Sequence, residues 1–181
     1  MDEPFLTNPP GLFLLHCLKP GDDGTGANVL VDGFMLGKTL REQDPDAFRT
    51  LCQIPIAHHR HREGHFDHHA NATVFELDAK GEVARFRFAE RSAAPVVGSE
   101  SLVERIYAAR RALLNLAYAP EFQLELTLSR GDALLIDNHR LMHGRRAFGG
   151  QRHLRQCNIH RDDAWSRYRI ACRARGRRPV A

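Results

Sequence analysis

The stretch Asp137-Asn-His-Arg-Leu-Met-His143-Gly-Arg-Arg-Ala-Phe-Gly-Gly-Gln-Arg152-His-Leu154 decides how the rest of the chain is read. Just before it, residues 133–136 form an apolar, β-prone run opened by the turn signal Arg130-Gly131-Asp132, which puts His143 a few residues past a strand end. After it, residues 152–159 mix apolar and polar positions like a second strand. Gly144 and the Gly149-Gly150 pair let the chain double back between the two. A neutral imidazole and a guanidinium are thereby expected at one cavity, where they suit a metal and a carboxylate-bearing ligand. The plainer alternative is a histidine and an arginine at two ends of a surface loop.

Working outward, Asn8-Pro-Pro-Gly11 leads into the apolar run Leu12-Phe-Leu-Leu-His-Cys-Leu18, of strand length, and such an early strand needs a sheet to receive it. Asn28-Val-Leu-Val-Asp32 is a second strand. Residues 33–43 have helical spacing at Phe34, Leu36 and Leu40, and Asp44-Pro45 restarts a short helix with Pro at its first turn. Residues 73–77 and 83–88 alternate around the turn Asp78-Ala-Lys-Gly81 as a β-hairpin does, with Arg85 and Arg87 on one face and Phe86 and Phe88 on the other. Ser101-x-x-Glu104 reads as a capping box before an amphipathic helix through Leu102, Ile106, Ala109, Leu113 and Leu116, a core cover with no chemistry of its own. Phe122-Gln-Leu-Glu-Leu-Thr-Leu128 alternates strictly, and Trp165, Tyr168, Ile170 and Ala171 suit a closing helix. Short strands joined by turns, with one long and a few short helices, predict a mainly β fold with flanking helices, a sandwich or barrel.

The bulk numbers agree with one domain. At 181 residues and 43% hydrophobic content the chain can bury a substantial core, and its net charge of +4 is a mild excess concentrated in the tail Arg173-Ala-Arg-Gly-Arg-Arg178. The tail lacks interleaved aromatics, so nucleic-acid binding is not expected. Cys17, Cys52, Cys157 and Cys172 are scattered without a C-x-x-C pair, which indicates neither a disulfide framework nor a structural zinc site and points to the cytoplasm. No run approaches the roughly 20 apolar residues of a membrane span. Six histidines in twelve residues, His58-His-Arg-His-Arg-Glu-Gly-His-Phe-Asp-His-His69, read as a solvated loop that binds divalent metals only adventitiously, a loop over an active site being the main alternative.

Taken in order, Asn8-Pro-Pro-Gly11, Leu14-Leu-His-Cys17, Val31-Asp-Gly-Phe34, Asp137-Asn-x-Arg140, His143-Gly-Arg145, Arg152 and Arg161-Asp-Asp163 resemble the C-terminal two-thirds of the catalytic domain of Fe(II)- and 2-oxoglutarate-dependent dioxygenases of the taurine dioxygenase superfamily. Within it the likeness is greatest to the γ-butyrobetaine and trimethyllysine hydroxylases. The resemblance implies a double-stranded β-helix, or jelly roll, incomplete at its N-terminus and spanning residues 1–172, with residues 173–181 as a basic tail. It also implies an H-x-D…H iron triad, in which two imidazoles and a carboxylate leave positions for 2-oxoglutarate and oxygen. Carried over residue by residue, Asp2 matches the carboxylate, His143 the distal histidine and Arg152 the arginine that pairs with the far carboxylate of 2-oxoglutarate. A planar guanidinium fork suits that last role.

Two departures qualify the expectation. Met1 falls on the middle position of H-x-D, so the chain as given supplies two of three iron ligands, and weak iron binding with little turnover is expected. The tyrosine that closes an aromatic cage around trimethylammonium substrates is Asn158 here, and an Asn-Asn pair of those relatives is Ala89-Glu90. Losing one ring removes about 0.5–2 kcal/mol of cation–π attraction, so a different substrate is expected. Glu90 could meet an ammonium group or simply lie solvated at a strand end. The implied activity is hydroxylation of an unactivated C–H bond in a small amine- or carboxylate-bearing metabolite, with O2 consumed and succinate and CO2 as co-products. The rival is an inactive jelly-roll fragment that binds a small carboxylate or a partner chain, and self-association is left open.

Overall fold

The apolar run after Gly11 is the middle strand of a sheet in the computed structural model, which describes residues 1–22 and 24–180. This strand, β1 (Leu12–Lys19), pairs antiparallel with β10 (His153–Ile159) on one side and β8 (Ala133–Asp137) on the other. A second antiparallel sheet has β2 (Asn28–Asp32) in the middle, flanked by β7 (Gln123–Leu126) and β9 (Leu141–Arg145). Phe13, Leu30 and Ile136 are buried between the two sheets, with Leu15, Leu126, Leu134 and Leu141 packed around them. The mainly β architecture with flanking helices is as expected from the alternation and the turn signals.

The larger core lies beside the sheets. Helix α1 (Gly33–Gln43) is capped by Asp32, whose side chain accepts from Phe34 N, and α2 (Pro45–Gln53) is capped by Asp44 through Ala47 N. Both pack with α3 (Glu100–Tyr118) against a hairpin of β5 (Phe75–Leu77) and β6 (Val83–Phe86). Leu36, Leu40, Phe48, Leu51, Phe75, Phe86, Phe88 and Leu113 fill this cluster. Each such side chain contributes about 1.5–3 kcal/mol by leaving water.

Several local expectations change. His143 and Gly144 lie inside β9, not in a loop past a strand, because β2 offers an unpaired edge that residues 141–145 complete in register. The histidine-rich segment is a regular hairpin, β3 (Ile56–Arg62) and β4 (Phe66–Ala72), turning at Gly64 with φ of +68°, and its His58 is buried rather than solvated. Helix α3 starts one residue before Ser101: Ser99 is its cap and Leu102 N the donor. Leu124 is 57% exposed, so the alternating face of β7 is not wholly inward. Helix α4 (Arg161–Ala174) runs into the basic tail and buries none of its residues, so it closes no core among the described residues. Among the described residues no helix is long and apolar enough to cross a membrane.

Candidate active site

The N-terminal segment is laid along the end of the sheets by residues from the turn between β8 and β9. Asn138, fully buried, donates from Nδ2 to Asp2 O (3.0 Å) and Pro10 O (2.8 Å), and its Oδ1 accepts from Asp2 N (2.7 Å). His139 Nε2 lies 3.1 Å from Pro9 O, and Asn138 N donates to Gly11 O. From β6's continuation, the buried Arg87 donates to Pro4 O and Leu6 O, while Met1 N donates to Phe88 O. Glu3 is held at φ of +55°, a left-handed conformation that costs a non-glycine residue energy and turns the chain sharply after Asp2.

That scaffold brings Asp2 to His143. The carboxylate Oδ1 is 3.7 Å from His143 Nε2 and 3.5 Å from Arg91 Nη2. The imidazole stacks on Phe13 with centroids 4.5 Å apart and planes 10° from parallel, so β1 of one sheet orients a side chain of the other. Burial above all, then the positive charges of the Met1 amine and Arg91 against the opposing pull of Asp2, pushes the His143 pKa down to about 4. The ring is therefore neutral at neutral pH and keeps a lone pair for a metal. Its Nδ1 is buried without a hydrogen-bond partner among the described residues.

Arg152 precedes β10 and is only partly exposed. Its Nη2 donates to Asn28 Oδ1 (3.0 Å), and it lines the same cavity as Asp2 and His143, of about 760 Å³. Asp2, His143 and Arg152, singled out from the sequence, thus converge on one pocket. Its walls include Phe13, Val31 and Phe88, together with Leu114, Ala117 and Tyr118 of α3. The helix expected to be a mere core cover therefore forms a wall of the site. Glu90 is exposed to solvent, as a carboxylate at a strand end would be, and it is also paired with the buried Arg110, whose Nη2 donates to it at 2.6 Å. Asn158 follows Leu154 and Gln156 on the inward face of β10, with its Oδ1 buried and unpartnered among the described residues.

Sequence reasoning missed Arg87 and Arg110. Their signal is an arginine inside an apolar pattern, at Arg85-Phe-Arg87-Phe88 and at one turn's spacing from Ile106 and Leu113. His153 is exposed and does not line the cavity. The donor set fits a first-row divalent metal: a neutral imidazole nitrogen and a carboxylate oxygen face each other on a cavity wall, and among the described residues no hydrogen bond to the buried Nδ1 competes to reorient the ring.

Residues 1–158 match the taurine catabolism dioxygenase TauD, TfdA family. A gamma-butyrobetaine dioxygenase of Pseudomonas sp. (strain AK-1) is 36% identical over 162 residues, covering 87% of this chain and 42% of that protein. A mitochondrial trimethyllysine dioxygenase of Gallus gallus is 33% identical over 177 residues, covering 93% and 41%. The chain thus spans about four-tenths of the length of these curated relatives. In structure it is similar to asparagine oxygenase in complex with Fe(II), 2S,3S-3-hydroxyasparagine and succinate, with a TM-score of 0.71 and 18% identity over 93% of this chain and 50% of that one. The likeness shows a shared jelly-roll fold.

Proposed function

We propose, from the premise that the chain belongs to the taurine catabolism dioxygenase TauD, TfdA family, that it forms the catalytic pocket of an Fe(II)- and 2-oxoglutarate-dependent oxygenase. The observation that carries this reading is the 3.7 Å approach of Asp2 Oδ1 to His143 Nε2 on the wall of a cavity that Arg152 also lines. Asp2 and His143 would hold the iron, and Arg152 the far carboxylate of 2-oxoglutarate. Bound together, iron and 2-oxoglutarate would activate O2 for hydroxylating a C–H bond, 2-oxoglutarate being oxidised to succinate and CO2 as one oxygen atom enters succinate and the other the product.

The chain's own residues do the positioning. Phe13 fixes the plane of the His143 ring, and Asn138 with Arg87 fixes the backbone that carries Asp2. Phe13, Val31, Phe88 and Leu114 line the cavity with apolar surface, which keeps water from the reacting carbon. For the substrate we favour a small carboxylate-bearing metabolite, with or without an amine. Arg91 and Arg145 lie on the cavity wall, whereas Glu90 is already paired with Arg110 and leaves little attraction for a free cation. The Gallus gallus relative is a trimethyllysine dioxygenase, but at the position where the resemblance expects the ring that closes a trimethylammonium cage this chain has Asn158.

Calorimetric titration of 2-oxoglutarate in the presence of Mn(II), a redox-inert stand-in for iron, tests the reading. Saturable binding should weaken by about tenfold or more in His143→Ala and Asp2→Ala, which remove metal donors. Arg152→Ala should weaken 2-oxoglutarate but leave Mn(II) binding intact. Binding that none of the three variants alters would overturn the assignment. Succinate release over a panel of small amino acids and betaines then sorts the substrate class.

A further inference from the structure

Away from the cavity, the hairpin of β3 and β4 carries a second set of ligand-type side chains that the oxygenase reading does not use. His59 and His61 stand two apart on β3, and Asp67 and His69 two apart on β4. The antiparallel register sets His59 opposite His69 and His61 opposite Asp67, so a period of two puts all four on one face. Asp67 Oδ1 lies 2.9 Å from Nε2 of both His59 and His69, and 3.8 Å from Nδ1 of His61. The rings of His59 and His69 are stacked at 4.0 Å and 13°. One donor atom each from His59, Asp67 and His69 falls within 4.8 Å of the other two.

We propose that this outer face of the hairpin is a binding site for one zinc-class divalent ion, held by His59, Asp67 and His69 with His61 as the fourth donor. Imidazole with a carboxylate is a donor set for Zn(II) and its neighbours rather than for magnesium or calcium, which take oxygen ligands. Tetrahedral Zn(II) with bonds of about 2.0–2.1 Å holds its donors about 3.3 Å apart. Asp67 Oδ1 stands 2.9 Å from both His59 and His69, a little inside that spacing, so side-chain rotation opens the three-donor set to the ion, and His61, 3.8 Å from Asp67, swings in as the fourth donor. No backbone has to move, because strand pairing already fixes the four Cα positions.

The site has a structural use. A lone two-stranded hairpin is marginally stable in water, and this one leans on the rest of the molecule through its opposite face. There His58 and Ile56 are buried, His68 stacks on Phe5 at 6.0 Å, and Arg60 sits 5.4 Å over the same ring. Phe5 follows Asp2 by three residues. An ion that ties the outer face together therefore stiffens the support under the segment that carries Asp2.

The test uses the full chain without a histidine tag, stripped of metal and titrated with Zn(II) against a chromophoric chelator near neutral pH. A dissociation constant tighter than about 10 µM is expected, and joint replacement of His59 and His69 by Ala should weaken it by about tenfold or more. Asp67→Asn, which keeps the shape and removes the charge, should also weaken it. All three positions are exposed, so the variants should keep the wild-type circular dichroism. Repeating the titration in the His143→Ala background removes the cavity's own histidine donor, so the zinc event that persists there belongs to the hairpin. An affinity weaker than about 10 µM, or a double variant that binds zinc as the wild type does, would overturn the proposal.

Discussion

Asn138 shows how one side chain can set a distant one. Its amide satisfies Asp2 N, Asp2 O and Pro10 O, across 136 and 128 residues of sequence, in a place with no access to water. Asn138→Ala leaves three buried backbone groups unpaired and should cost about 3 kcal/mol, read as a fall in the urea midpoint. Mn(II) affinity should fall with it, because the Asp2 backbone loses its clamp. Arg152 offers a second contrast. Arg152→Lys keeps the charge but loses the planar fork, and 2-oxoglutarate affinity should drop by about tenfold while metal binding stays, by calorimetry. At this scale the sequence was legible through its motifs: Asp2, His143 and Arg152, singled out there, line one cavity. An arginine set among apolar positions was the one local trace of Arg87 and Arg110, but their partners, Pro4 O and Leu6 O for one and Glu90 for the other, are chosen by the fold and leave no local pattern.

Elements were legible where local chemistry and packing agree. Asp32 and Asp44 cap α1 and α2 as their positions before Gly33 and Pro45 suggest, and β1 and β2 follow their apolar runs. Reading failed where a strand exists only because a neighbour receives it. Residues 141–145 and the histidine-rich hairpin have little β-prone composition of their own, and register with a partner makes them strands. The start of α1 carries a sharper constraint. A Cβ on Gly33 would sit 2.4 Å from Phe86 Cγ and 2.7 Å from Arg140 O, where a core ring and a backbone carbonyl have no room to withdraw. The Arg140 guanidinium also grips Asp32 through both carboxylate oxygens, so the cap, the glycine and the β8–β9 turn form one joint. Gly33→Ala should therefore cost about 1–3 kcal/mol of thermal stability. Gly144→Ala, with nothing within 4 Å of the added carbon, is the matched control and should leave the melting temperature nearly unchanged.

Over the whole molecule, buried groups are shared unequally between a small inter-sheet core and a larger core of helices on a hairpin, and buried histidines sit at the edges of this arrangement. His58 is 1% exposed, bonded through Nδ1 to Ser92 Oγ at 3.2 Å, with Nε2 unpartnered among the described residues. Burial first, then the positive charges of Arg87, the Met1 amine and Arg110, pushes its pKa down to about 4. His139 is lowered in the same direction, chiefly by burial. In the unfolded chain both titrate near 6.5. Between about pH 6.5 and pH 4 the unfolded state therefore binds more protons than the folded one, and stability must fall as pH falls through that window. Above about 6.5 both histidines are neutral in either state and contribute no slope. The expected result, with EDTA present to keep the hairpin free of metal, is a urea midpoint that declines on acidification through that window. His58→Gln should reduce that decline by about one proton's worth, about 1.4 kcal/mol per pH unit. A variant whose midpoint tracks the wild type across the window would mean that His58 takes its proton without unfolding, and that the interior around Arg87 and Arg110 accepts a further positive charge.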